Sequence, residues 1–80
     1  MPFINIKLHA GRDKELLDQL AVAVGQAAMD VLSNPNGKSF TIAVEEVDKE
    51  IWEDTVIKNE VEGNPHVVIR GQEREDWLKK

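Results

Sequence analysis

No cysteine occurs anywhere in the 80 residues, so no disulfide can staple the fold, and with His9 and His66 as the only histidines a metal site such as zinc would need an unusual carboxylate-rich ligand set. Basic residues are in the minority. Ten lysines and arginines against fifteen aspartates and glutamates leave a net charge of −5 and a pI near 4.9. A nucleic-acid binder shows a basic stripe and an anionic membrane surface attracts cations, so neither nucleic acid nor membrane is an expected partner. No apolar run approaches the roughly 20 residues of a membrane span, and the N-terminus lacks the basic region and hydrophobic core of a signal peptide, so a cytoplasmic location is expected. Length is short as well: residues 1–80 make one domain, and a chain of this size buries only about 60% of the surface that its unfolded form exposes. With disulfides and a ready metal site removed, self-association is the remaining route to a sufficient core.

What the chain does have is clear periodicity. Ile4, Ile6 and Leu8 alternate with Asn5, Lys7 and His9, which predicts a strand over residues 2–9 with one face buried. "HAGRD" then turns the chain, with Asp13 at the N-cap of a following helix. From Lys14 to Leu32 the residues Leu16, Leu17, Leu20, Ala21, Val24, Ala27, Ala28, Val31 and Leu32 recur at spacings of three and four, the stripe of an amphipathic helix. "SNPNG" ends it, because Pro35 has no N–H to donate and disfavours helix in Asn34. Phe40, Ile42 and Val44 alternate with Thr41, Ala43 and Glu45, which predicts a second strand over residues 39–46.

Strand, helix and strand make a βαβ unit, which joins parallel strands by a right-handed crossover. Beyond it the signals weaken: a short helix or turn around Trp52, an irregular stretch, a brief third strand or hairpin at "HVVIR", and a mixed-charge tail over residues 71–80, frayed or docked on a neighbouring subunit. Two strands under one helix leave both sheet edges and one sheet face bare, and two strands alone are marginal in water. The expected fold class is therefore α/β (α+β), with subunits pairing into a four-stranded sheet that covers Phe3, Thr41 and Ala43.

Pro2 carries two readings. It suits the first position of a strand, where the missing N–H costs nothing. If Met1 is removed, it also becomes a free secondary amine, and an α-amino group that titrates near 8 is pushed lower by partial burial beside a cation, toward the working range of a base. Arg12 is equally a solvated loop residue or a planar fork able to bind a carboxylate through two parallel hydrogen bonds. Trp52 is a packing residue or an apolar wall, and the two roles are compatible. The acidic cluster Glu45, Glu46, Asp48 and Glu50 is most simply a solvated strand end.

Proline after Met1, the strand "PFINIKL", a "GR" pair before one long helix, the strand "SFTIAVEEV" and an aromatic soon after it together resemble the 4-oxalocrotonate tautomerase family over roughly residues 1–53. The longer remainder is similar to the dimeric bacterial branch. The resemblance implies a cofactor-free enzyme in which the Pro2 nitrogen moves a proton in an unsaturated 2-keto or enol acid, Arg12 holds the substrate carboxylate, and Trp52 stands at the mouth of the pocket. In the family's type member a second arginine lies where Thr41 stands here, which favours a monocarboxylate such as a phenylpyruvate-like enol and leaves Lys38 or Arg70 as possible second cations from a partner subunit. Dehalogenases and decarboxylases share the architecture, and a noncatalytic βαβ module that dimerises through its sheet is the reading from outside the enzyme class.

Overall fold

The alternation from Phe3 to His9 forms β1, Phe3–His9, in a computed structural model that describes residues 2–33 and 37–77. A turn through Gly11, whose φ of 116° favours a residue without a Cβ, leads into the helix α1, Lys14–Val31. A 3-10 turn at Gly37–Ser39 precedes β2, Thr41–Val47. The two strands run parallel, from Phe3 opposite Thr41 to His9 opposite Val47, and form the two-stranded sheet of a βαβ unit. The predicted break at residues 34–36 lies outside the described residues. β2 starts later than expected because Phe40 N–H donates to Gly37 O at 3.2 Å, which closes the 3-10 turn. Asp13 occupies the N-cap, yet its side chain makes no capping hydrogen bond; its carbonyl accepts the first helical bond, from Leu17 N–H at 3.1 Å.

On α1 the half-buried positions are Leu17, Leu20, Ala21, Val24, Ala28 and Met29, and Gly25 is buried. Leu16, Val31 and Leu32 belong to the same apolar stripe by spacing but stay exposed. Two strands about 4.8 Å apart form a platform narrower than a helix with its side chains, about 10 Å across, so the stripe overhangs the sheet. Gly25 marks the closest approach, since a Cβ there would lie 2.7 Å from Ile42 Cδ1. Rotation of that terminal methyl can accommodate alanine. A β-branched side chain has no such outlet, so Gly25→Val is expected to cost about 1–3 kcal/mol, read as a lower urea midpoint at unchanged m-value.

The segment after β2 is more regular than its sequence suggests. A 3-10 turn, Lys49–Ile51, runs through Trp52 into a nine-residue π-helical segment, Glu53–Val61, and Glu62 N–H donates to Ile57 O at 2.8 Å with the five-residue spacing of a π-helix. This segment folds onto the sheet face opposite α1. Lys7 Nζ pairs with Glu60, and Trp52 meets His9 edge to face with ring centres 4.5 Å apart. Val47 and Val56 are buried. The chain itself therefore covers the His9 end of a face expected to lie bare, whereas at the other end Phe3 is 67% exposed, Thr41 is exposed and Ala43 is half-buried.

The hydrogen bond from Lys7 to Glu60, reinforced by the charges of Glu60 and Glu45 and opposed by desolvation, raises the lysine above its ordinary 10.5. A folded value above the unfolded one means that the pair's stabilisation is complete below about pH 10 and is lost as pH rises through the raised value. The gap in thermal midpoint between the wild type and Lys7→Met is thus expected to stay constant from about pH 7 to 9.5 and to narrow above 10.5.

The third strand or hairpin expected at "HVVIR" does not form among the described residues, where the sheet has only β1 and β2. Val67 N–H turns back to Asn64 O at 3.3 Å, and His66 N–H donates to Asn64 Oδ1 at 2.9 Å. β-propensity expresses fit against a neighbouring strand, and the described residues offer residues 66–70 none. The described part of the tail folds on itself: a 3-10 turn, Arg74–Asp76, lets Trp77 Nε1–H donate to Gln72 O at 3.0 Å. Leu78 lies outside the described residues.

Candidate active site

Pro2 stands one residue ahead of β1 and is half-buried. Its carbonyl accepts from Thr41 N–H at 3.1 Å, which clamps it to the first residue of β2. Beside it opens a hollow of about 500 Å³, walled by Ile4 from β1 and by Ala27, Ala28, Val31 and Leu32 from the end of α1. Every one of these lining side chains is apolar.

Arg12 and Trp52 lie at the other end of β1. Arg12 Nη1 donates to His9 O at 2.9 Å, and Trp52 packs on the His9 ring. Here a second hollow, of about 290 Å³, sits between β1 and α1 and is walled by Leu8, Leu16, Leu17 and Leu20 with Arg12 and Gln19 at its margin. One nitrogen of the guanidinium is tied to the backbone, and the residue is exposed.

Glu46 is the residue that sequence reasoning missed. Its Oε2 accepts from Gly11 N–H at 2.8 Å and lies 3.4 Å from Arg12 N, so the "GR" loop is positioned by a carboxylate from β2. Glu45 is likewise engaged, accepting from Asn5 Nδ2 at 3.1 Å. No local spacing announces either contact, because the partners are 34 to 40 residues apart in sequence.

Seven residues of parallel strand, at about 3.3 Å each, separate Pro2 from His9 by roughly 23 Å. The structure thus places Arg12 and Trp52 at the same end of β1 but on opposite sides of the sheet, Arg12 at the hollow beside α1 and Trp52 against His9 on the other face, and it leaves Pro2 at the far end, out of reach of Arg12 of its own chain. Of the two other cations considered, Lys38 is exposed in the turn before β2, and Arg70 is exposed beyond the π-helical segment. Among the described residues no three His, Asp or Glu side chains converge as metal ligands would, and no helix is long and apolar enough to cross a membrane.

The structure is thus a small parallel βαβ unit with Pro2 clamped at the head of β1 and Arg12 ahead of α1. The family model described as "Tautomerase enzyme" matches residues 2–60. The chain belongs to the tautomerase family, and the match runs from Pro2 to Glu60, the partner of Lys7. No curated protein matches the chain.

Proposed function

We propose that this protein is a cofactor-free, cytoplasmic tautomerase that moves a proton in an unsaturated 2-keto (enol) acid, with the nitrogen of Pro2 as general base. The observation that carries the reading is the half-buried Pro2 itself, clamped through Thr41 N–H at the edge of an apolar hollow. Ketonisation then needs one proton relay: the amine takes the enol hydroxyl proton, the carbonyl forms, and the C=C pair accepts a proton from the resulting ammonium at C3. Arg12 holds the carboxylate, while Trp52, packed on His9 on the other face of the sheet, stands outside the lining of the Arg12 hollow. Thr41 at the start of β2 offers no second cation there, in keeping with a monocarboxylate such as an arylpyruvate enol.

Because Pro2 and Arg12 stand at opposite ends of β1, the site is completed by a second copy. Antiparallel pairing across the open β1 edge sets the start of one β1 against the end of the other and extends the sheet to four strands. It joins the Pro2 hollow of each copy to the Arg12 hollow of its partner, since both open along the seam between β1 and α1. Light scattering tests this association, and a stable 9.0 kDa monomer at micromolar concentration would sink it. Hydrolytic dehalogenation is the less supported chemistry, because Glu45 and Glu46, which could activate water, are engaged with Asn5 and Gly11. The direct test is the decay of enol absorbance on adding the processed protein.

A further inference from the structure

The chain exposes 6628 Å², whereas a compact monomer of its mass exposes about 4,850 Å². The surplus, roughly 1,800 Å², is about twice what one partner contributes to a standard interface. Its radius of gyration, 14.2 Å, likewise exceeds the roughly 11.6 Å of a compact 80-residue domain. Part of the surplus is a short arm. Residues 64–70 are all exposed and are bracketed by Gly63 and Gly71, each at positive φ (72° and 69°). The arm carries Val67, Val68 and Ile69 into solvent, Val68 at 73% exposure, and ends on Arg70. It lies beyond the residues that match the family.

The Pro2 hollow has the complementary deficit. Its outer wall is Val31, 82% exposed, and Leu32, 58% exposed, and its lining holds no cation or hydrogen-bonding side chain. Exposure of both surfaces in one chain shows that the arm does not cover its own hollow. Lys7, Lys14 and Lys58 are held in ion pairs, and Arg12 gives one nitrogen to His9 O.

We propose that the 64–70 arm of a second copy closes over the Pro2 hollow, seating Val68 against Val31 and Leu32 and presenting Arg70 to the substrate bound beside Pro2. In extended form, side chains two apart share a face about 6.6 Å from one another, so Val68 and Arg70 point into the hollow together. The guanidinium supplies what the apolar wall lacks, a charge-assisted donor for a substrate oxygen that gains negative charge. This role for Arg70 rests on the tautomerase reading above; the docking of the arm does not.

The absence of native cysteine makes a clean test possible. An isotope-labelled Ala27→Cys chain is mixed with an unlabelled Val68→Cys chain, oxidised with diamide and weighed by mass spectrometry. A disulfide joining one chain of each kind is expected, and its absence overturns the docking whatever the activity. For the arginine, Arg70→Ala is expected to lower kcat/KM for an arylpyruvate enol by about 10- to 100-fold, with Arg70→Lys recovering part of the loss. Mixing Arg70→Ala with a chain whose Pro2 is blocked should restore about a quarter of wild-type activity, because random pairing rebuilds one complete site per mixed dimer. Unchanged kinetics in Arg70→Ala, or no recovery on mixing, overturns the role of Arg70 in trans. A wild type with no turnover rejects the tautomerase reading and with it the role of Arg70, and the cross-link still decides the docking.

Discussion

A chain whose Pro2 nitrogen is acylated, by retained Met1 or by an N-terminal tag, is expected to ketonise an arylpyruvate enol about 10²- to 10⁴-fold more slowly than the processed chain, the usual worth of a positioned general base. The argument concerns one lone pair. In the processed chain the pyrrolidine nitrogen is a secondary amine, and acylation delocalises its pair into an amide with no useful basicity. The clamp on Pro2 runs through its carbonyl and Thr41 N–H, which acylation leaves untouched, so circular dichroism and molecular mass should be the same for both forms. Pro2→Ala is the weaker test, because its new α-amino group is also a base. Across pH 5 to 9 the processed form should gain activity as a group titrates below the ordinary α-amino value of about 8, since the apolar hollow and a partner's cation both disfavour the protonated amine. Equal rates for tagged and processed protein would exclude Pro2 as the base and favour a noncatalytic dimerisation module.

Arg12→Ala is expected to cost about 1.5–3 kcal/mol of carboxylate binding, or roughly 10- to 150-fold in kcat/KM, mostly through KM. Arg12 is exposed and lies ahead of α1, so its removal leaves the helix and the core in place. Arg12→Lys should recover little, because a point charge cannot replace a fork that holds His9 O with one nitrogen and a carboxylate with the others. An unchanged KM for the alanine variant would return Arg12 to the role of a solvated loop residue. Glu46→Ala gives an intermediate test: it frees the loop at Gly11 while the guanidinium survives, so it should raise KM less than Arg12→Ala does.

The local elements could be read from the chain because their causes are local. Period two in Ile4, Ile6 and Leu8 and spacings of three and four from Leu17 to Ala28 record which side of each element is apolar, and that is enough to define β1, α1 and β2 to within about two residues. Backbone pairing along β1 and β2 then follows from the crossover rule, and the unit belongs to the family that its opening residues resemble. Pro2, Arg12 and Trp52 could be named as candidates because each residue type has only a few chemical uses.

Which of those three stand together was decided by tertiary geometry. A seven-residue strand is a ruler: Pro2 and Arg12, ten apart in sequence, end up on opposite ends of it, and Trp52, forty residues from Arg12, folds back beside His9. The π-helical segment was hidden because its apolar positions fit neither the strand nor the α-helix period, and its place on the sheet depends on Lys7 finding Glu60 across 53 residues. Residues 66–70 show the converse. Val67, Val68 and Ile69 have the composition of a strand, but a strand is a pairing, and among the described residues no strand pairs with them. Propensity and pattern thus determined the pieces, while distance along the sheet and packing across it determined where each candidate residue stands.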